Sequence, residues 1–219
     1  MRPTIVFFDM DHTLIDNDCD VSWKAFLVEE GLAEPEAQQT ADRHFQAYVR
    51  GELNVRAFLQ FQLAEFRNRT PAAMKRLAER HCRNVVQPKV YADARATVDD
   101  VRRRGIPVAV LTATNGIVAA PVAGLFGIET LIATRLAVKD GRFTGDIEGT
   151  YCHGEGKVAC AQSFCEANGF EVGQAAYYGD SLSDVPMLAA VGEPHVVNPG
   201  DSLRALAHEY QWPISVFRR

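Results

Sequence analysis

The first apolar run of the chain is short and continuous. Residues 4–8 (TIVFF) are β-branched or aromatic, and polar residues follow at once, beginning with Asp9 and Asp11. A continuous apolar run of this length is typical of a strand that is buried on both faces of a parallel sheet. The pattern therefore predicts a buried strand over 4–8 with acidic residues at its carboxyl end.

The next segment has a helical pattern. From about residue 21 to 86 the apolar positions recur at helical spacing, and no alternating strand pattern interrupts them. Asp20 or Ser22 is a candidate cap for a first helix, and Thr70 followed by Pro71 is a typical start for the last one. We therefore expect four helices in this segment.

Strands and helices alternate in the rest of the chain. The apolar runs predict strands over 107–111, 130–133, 175–178 and 195–197 and helices over about 92–104, 117–126, 155–168, 184–190 and 201–210. Asp140-Gly141 between two short runs predicts a hairpin turn. This alternation is typical of a doubly wound parallel sheet. We predict an α/β core formed by residues 1–18 and 87–219, with a four-helix cap, residues 19–86, inserted after the first strand.

Composition and charge indicate which partners and which cellular location to expect. The 219 residues carry a formal net charge of −5, which gives no reason to expect nucleic acid or an anionic membrane as a partner. No apolar stretch has membrane-spanning length. The five cysteines are odd in number and form no CxxC pair, so we expect reduced thiols and a cytoplasmic location. The spacing of Cys152, His153 and Cys160 matches no zinc signature.

Chemistry-bearing side chains share one predicted position. They follow the strands of the sheet or lie in the first turn of a helix: Asp9, Asp11, Thr112, Lys157, Asp180 and Asp184. Ligands of open parallel sheets bind beyond the carboxyl ends of the strands, so these side chains are expected to meet there. Crowded carboxylates repel one another and need a cation, and oxygen ligands beside a phosphate suit Mg²⁺.

This arrangement predicts phosphoryl transfer. A metal ion would remove the electrostatic barrier to attack by Asp9 on phosphorus. Asp11 is placed to protonate the leaving oxygen and later to deprotonate water, a role that needs a raised pKa. Lys157, Thr112 and neighbouring backbone N–H groups are candidates for holding the phosphate.

The same segments resemble, in order, the four motifs of the haloacid dehalogenase superfamily of phosphotransferases. FFDMDHTL resembles the first motif, LTAT the second, the lysine-bearing GEGKVA the third and YYGDSLSDVPML the fourth, and the match runs from about residue 4 to 200. The resemblance implies a phosphorylated nucleophile at Asp9 and an acid/base at Asp11. It also implies a set of ligands for Mg²⁺ and phosphate: Asp9, the Asp11 carbonyl and Asp180 for the metal, Asp184 to orient them, and Thr112, Ala113 and Lys157 for phosphate.

The branch that contains phosphoserine phosphatase is the most similar, because its helical cap also lies between the first and second motifs. Three positions depart from its pattern: Asp18 replaces a Glu, Gln62 an Arg and Ser183 an Asn. His12, at the variable position of the first motif, is a candidate pocket residue. The resemblance thus implies a small phosphorylated metabolite as substrate, either phosphoserine-like or histidinol-phosphate-like.

Three alternatives stay open at this point. A phosphotransferase would deliver the phosphoryl group to an alcohol instead of water. A receiver-type signalling module would use similar groups, but such modules are about half as long and place the acceptor after the third strand, whereas Asp9 follows the first. A binding protein on an inactive phosphatase fold would be expected to lack at least one of the four motifs.

Overall fold

The fold is built on one central sheet. The computed structural model describes residues 2–219, without the side chains of residues 48 and 49. Seven strands form the sheet: β1 (Val6–Phe8), β2 (Val108–Asn115), β3 (Thr130–Lys139), β4 (Arg142–Glu148), β5 (Ala176–Gly179), β6 (Glu193–Val197) and β7 (Ile214–Ser215). Their order is β4-β3-β2-β1-β5-β6-β7, and every neighbouring pair is parallel except β3–β4. The predicted α/β class is confirmed.

Nine α-helices are present among the described residues. They are α1 (Cys19–Glu29), α2 (Glu36–Val49), α3 (Val55–Gln62), α4 (Pro71–His81), α5 (Ala92–Arg103), α6 (Gly116–Leu125), α7 (Glu155–Asn168), α8 (Val185–Ala190) and α9 (Asp201–Glu209). The first four are the predicted helices between the first and second strands, and we call them the cap helices. Within residues 2–219, no helix has both the length and the apolar character needed to cross a bilayer.

The central strand β1 is buried on both faces, as its continuous apolar pattern predicts. Phe8 belongs to a core cluster that also contains Trp23 of α1 and Met74 of α4, whereas Phe7 packs in a second cluster with residues of α7 to α9, such as Ala161. Burial of large apolar side chains on both sides is the main force that fixes β1 at the centre. Helices α1 and α4 of the cap therefore share one apolar core with the sheet.

The topology directs ligands to the end of β1. Chain order runs outwards from β1 in two directions, through β2 to β4 on one side and through β5 to β7 on the other. Strand order reverses at β1, and parallel sheets of this type bind ligands in the crevice at such a switch point. The carboxyl end of β1 is therefore where the fold favours a site.

Several predicted boundaries were wrong. The strand expected to end at Leu111 continues as β2 to Asn115, with a register shift against β3 after Thr112. Neither Asp20 nor Ser22 caps α1; the Asp18 side chain does, by accepting a hydrogen bond of 2.9 Å from Val21 N–H.

Two features of the structure were not predicted. Strand β7 had no predicted counterpart, and it pairs with β6. The helical pattern expected up to about residue 86 is interrupted, because α4 ends at His81 and a π-helical turn, Cys82–Val86, follows. The turn at Asp140-Gly141 is as predicted, since both residues have positive φ, 50° and 72°, and join β3 to β4.

Candidate active site

A pocket lies between the carboxyl edge of the sheet and the cap helices. Nearly all the predicted site residues line it, on the sheet side or on the cap side: Asp9, Asp11, Asp18, Gln62, Thr112, Ala113, Lys157, Asp180 and Ser183. His12 and His153 line it as well. Asp184 alone of the predicted set does not, because it lies fully buried beneath the floor. The folded chain therefore brings together segments that are far apart in sequence.

Lys157 joins the acids of the pocket floor. It lies in the first turn of α7 and is 2% exposed. Its Nζ donates to Oδ1 of Asp9 at 2.7 Å, to Oδ1 of Asp184 at 2.6 Å and to the Tyr177 hydroxyl oxygen at 3.0 Å. Burial alone would lower the pKa of Lys157, but the charges of Asp184 and Asp9 raise it well above its usual value. The lysine is therefore a fixed cation beside Asp9.

Asp184 has no oxygen left for a further ligand. Its Oδ1 accepts from Lys157 and, at 2.5 Å, from the Tyr177 hydroxyl. Its Oδ2 accepts from the backbone N–H groups of Asp180 and Ser181, at 3.1 Å each, and from the Ser181 hydroxyl at 3.0 Å. Burial favours the neutral form, yet Lys157 and these donors lower the pKa of Asp184. A carboxylate with about four acceptor sites is saturated by five donors, so Asp184 orients its neighbours.

Asp9 and Asp180 face each other across the floor. Oxygen atoms of Asp9, Asp180 and Asp184 lie within 4.8 Å of one another. Since the oxygens of Asp184 are saturated, Asp9 and Asp180 are the two carboxylates placed to share a metal ion. Burial raises the pKa of Asp9 from 3.8 to about 6, against the opposing effect of Lys157. Desolvation, followed by the charges of Asp184 and Asp9, raises the pKa of Asp180 well above its usual value. Burial is the main cause of both shifts, and the charge of Asp184 adds to each of them.

The Asp11 side chain is held at the wall of the pocket by two donors. Its Oδ2 accepts from the Thr114 hydroxyl at 2.7 Å, and its Oδ1 accepts from the backbone N–H of Cys19 at 2.8 Å. Desolvation, followed by the charges of Asp18 and Asp9, raises the pKa of Asp11 well above its usual value. The raised pKa favours the protonated form of Asp11, which is the form that a general acid requires.

Thr112 and Ala113 lie at the irregular end of β2. Thr112 is 1% exposed, and its hydroxyl oxygen accepts from Thr114 N–H at 3.2 Å. The Ala113 carbonyl accepts from the Thr134 hydroxyl at 2.7 Å. The register shift with β3 lies at this point, so the strand end is fixed in a bulge that lines the pocket.

Because Gly179 has no side chain, Asp184 and the Tyr177 ring can lie close to it in the pocket floor. A Cβ at this position would lie 2.8 Å from Cβ and Cγ of Asp184 and 2.8 Å from Cε1 of Tyr177. Such distances are far below van der Waals contact. The glycine of the GD pair therefore lets Asp184 pack directly against β5.

Four floor and wall residues were missing from the predicted set, although three of them stand inside the predicted motifs. Thr13 donates to Oδ1 of Asp180 at 3.1 Å, and Thr114 holds Asp11. Tyr177 holds Asp184, and Asp20 lines the cap side of the pocket. The threonines of DxDxT and LTAT were the available signal, whereas the side-chain contacts of Tyr177 require the packed sheet.

Within the described part of the chain, the cysteines and histidine considered for a zinc site lack the spacing of metal ligands. Among residues 2–219, the group with metal-ligand spacing is the Asp9, Asp180 and Asp184 set, and Cys152, His153 and Cys160 form no such group. All five cysteines are free thiols.

Comparison with known proteins places this geometry in a family. The model of haloacid dehalogenase-like hydrolases matches residues 6–189. A Neisseria meningitidis serogroup C (strain 8013) protein named histidinol-phosphatase is 33% identical over 221 residues, which cover 98% of this chain and 99% of that protein.

Solved structures show the same fold. A crystal structure of a protein with unknown function from Bordetella pertussis Tohama I has a TM-score of 0.90 and 35% identity, with 98% of each chain covered. A phospho-aspartyl intermediate analogue of phosphoserine phosphatase has a TM-score of 0.68 at 20% identity, with 100% of this chain and 95% of that chain covered, which shows a shared fold. The chain therefore belongs to the haloacid dehalogenase-like hydrolases and is an enzyme of that family, as the order of its four motifs predicted.

Proposed function

We propose that this enzyme hydrolyses a phosphate monoester through a phosphoaspartate on Asp9. The observation that carries the proposal is the position of Asp9, at the end of the central strand, with Lys157 Nζ at 2.7 Å and with Asp180 and Asp11 in the same pocket. Attack of an Asp9 oxygen on phosphorus forms the acyl phosphate and releases the alcohol. Water then attacks that phosphorus, which breaks its bond to the Asp9 oxygen, releases inorganic phosphate and restores the carboxylate.

The acid set fits Mg²⁺. Carboxylate oxygens are the ligands this ion prefers, and it takes one or two of them together with phosphate and water. Asp9 and Asp180 would hold it with the backbone carbonyl of Asp11, and the saturated Asp184 would orient the Asp180 segment. When bound, the ion supplies the positive charge that lets a carboxylate approach a phosphate dianion.

Asp11 would move the protons of both steps. Its raised pKa keeps a proton available for the leaving oxygen in the first step. In the second step the ionised Asp11 accepts a proton from the attacking water. Thr114 and the N–H of Cys19 hold the carboxyl group in one orientation through this cycle. Lys157, Thr112 and Ala113 would bind the phosphoryl oxygens, because they line the floor next to Asp9.

The substrate proposed is a small phosphorylated metabolite. The Neisseria relative is named for histidinol phosphate and the structural neighbour for phosphoserine, and both names describe small phosphate esters. The cap helices enclose the pocket from above, which favours a compact substrate over a phosphoprotein.

Phosphate release from p-nitrophenyl phosphate tests this proposal. We expect turnover that requires added Mg²⁺, is removed by a chelator and is lost in Asp9→Asn. Asp42→Asn, the same substitution at an exposed acid of α2 outside the pocket, is the matched control and should retain activity. Turnover by folded Asp9→Asn at the native rate would contradict the assignment of Asp9.

A further inference from the structure

The cap side of the pocket contains a buried acceptor with no partner. Gln62, at the end of α3, is 5% exposed and lines the pocket. Its side chain interacts with Asp20 and lowers the pKa of that carboxyl, which fits the amide N–H₂ facing Asp20, since a carboxylate accepts hydrogen bonds. The Gln62 Oε1 then has no hydrogen-bond partner. Leaving a buried acceptor unpaired is unfavourable, so this atom indicates a ligand that donates hydrogen bonds.

The same wall has excess negative charge. Asp18 and Asp20 both line the pocket. The basic residue near Asp20 is Lys24, but its Nζ donates to Glu65 and to the Phe61 carbonyl oxygen, at 2.9 Å for the latter, so a third acid already balances it. Burial and the charge of Asp18 raise the pKa of Asp20 to about 7. This side of the pocket accepts hydrogen bonds and favours a cation.

The pocket offers little to a carboxylate. Among the described residues that line it, Lys157 is the only lysine, no arginine is present, and Lys157 is occupied by Asp9 and Asp184. A carboxylate on the substrate would lie near Asp18 and Asp20 with no arginine or second lysine to pair with. Burial also lowers the pKa of His44 and His153, two of the three histidines that line the pocket, which disfavours their cationic forms.

The far end of the pocket is apolar. Ala41, Phe45, Leu53 and Phe58 line it. His44 packs there with its ring centroid 5.7 Å from that of Phe58. Aromatic walls of this kind favour a flat or apolar substituent on the substrate.

We propose that the leaving alcohol of the substrate carries an ammonium group and no carboxylate, with an apolar or aromatic substituent beyond the amine. The ammonium group binds the Asp20 carboxylate and Gln62 Oε1 beside the charge of Asp18, and the substituent occupies the end formed by Phe45 and Phe58. The class is therefore the phosphate monoesters of substituted amino alcohols. This inference rests on the proposed phosphatase activity and assigns Asp20 and Gln62 as specificity-determining residues.

A set of matched substrates tests the inference with the native enzyme and Mg²⁺. Phenylalaninol phosphate has the amine and the ring, 3-phenylpropyl phosphate lacks only the amine, and O-phosphoserine has the amine and a carboxylate. We expect kcat/KM for phenylalaninol phosphate to exceed that for each of the others by about tenfold or more, the size of one charge-assisted hydrogen bond. Equal values for the first two compounds, or a preference for phosphoserine, would overturn the inference.

p-Nitrophenyl phosphate separates this inference from the activity on which it depends. If the enzyme cleaves none of the phosphates, the proposed function fails. If it cleaves p-nitrophenyl phosphate but shows no preference for the amine, the activity stands and the inference fails.

Variants of Asp20 and Gln62 test where the ammonium group of the substrate binds. Asp20→Asn should lower the ratio of kcat/KM for phenylalaninol phosphate over 3-phenylpropyl phosphate by about tenfold, because it removes the charge that the ammonium meets. Gln62→Met, which keeps the length and removes the acceptor, should lower the same ratio and provides the test if Asp20→Asn does not fold. Asp42→Asn should leave the ratio unchanged. A native ratio in a folded Asp20→Asn or Gln62→Met variant would contradict the assignment of that residue.

Discussion

The Nζ atom of Lys157 lies 2.7 Å from Oδ1 of Asp9 and 2.6 Å from Oδ1 of Asp184. One buried ammonium thus connects the end of β1, the start of α7 and the segment that follows β5. The pKa values of the two carboxylates shift in opposite directions. Donors saturate Asp184 and lower its pKa, whereas the pKa of Asp9 is raised to about 6. Asp9 is therefore the carboxylate that stays available for chemistry.

Lys157→Met should reduce both activity and stability. The lysine lowers the pKa of Asp9, so its loss leaves more of Asp9 protonated at neutral pH and removes a partner for phosphate. We expect kcat/KM for p-nitrophenyl phosphate to fall by at least ~10²-fold. Breaking a buried ion pair from one side should lower the free energy of unfolding by about 3–5 kcal/mol. Steady-state kinetics and chemical denaturation measure the two effects, and native stability would contradict the buried contact.

The stability of the metal-free enzyme should fall as pH rises. Asp9 has a folded pKa of about 6 against 3.8 for the free group, so its contribution is complete below about 3.8 and is lost as pH rises through about 6. Asp11 and Asp180, whose pKa values are also raised, act in the same direction. Asp184, with a lowered pKa, contributes stability above its unfolded value and does not reverse this trend.

Mg²⁺ should therefore stabilise the enzyme more at about pH 7.5 than at about pH 5, because protonation competes with the metal for the same oxygens. Thermal unfolding with Mg²⁺ or chelator at both pH values measures the increment. Asp180→Asn should largely remove it. An increment that is absent or equal at the two pH values would contradict the metal assignment.

Gly179→Ala should disturb the floor without removing any polar group. The added Cβ would lie 2.8 Å from Asp184 and from the Tyr177 ring, and overpacking of this kind costs about 1–3 kcal/mol. A displacement of Asp184 moves Lys157, so activity should fall by up to ~10²-fold for a shift of ~1 Å. Gly124→Ala in α6 is the control, because nothing lies within 4 Å of its Cβ position. If both variants had native activity and stability, the close packing at Gly179 would be wrong.

The order of the predicted elements could be derived from the sequence, because local patterns of apolar residues encode the core of this fold. The run before Asp9 is buried on both faces as β1, and Thr70-Pro71 starts α4, with the Thr70 side chain accepting from Ala73 N–H. The four motifs lie at strand ends or at a helix start, where the topology of a parallel sheet brings them together.

Other features depend on tertiary contacts that no local pattern encodes. Strand β7 has two residues, and it exists because Val196 and Ile214 pair. Asp18, one of the three positions that depart from the phosphoserine phosphatase pattern, caps α1, whereas the sequence pattern pointed to Asp20 or Ser22 as the cap. The roles of Tyr177 and Gln62 follow from atoms that meet only after packing. The division into core and cap at residues 18 and 86 stays a prediction, since α1 and α4 share their apolar cluster with the sheet.

Chemical trapping of the phosphoaspartate is the most direct test of the proposal that Asp9 is the nucleophile. Enzyme quenched during turnover of a phosphate monoester with Mg²⁺ is treated with borohydride, which reduces an aspartyl phosphate to an alcohol, and the modified peptide is located by mass spectrometry. We expect reduction at residue 9 that depends on substrate and is absent from Asp9→Asn. Turnover without modification, or modification at Asp11 or Asp180 in place of Asp9, would contradict this proposal.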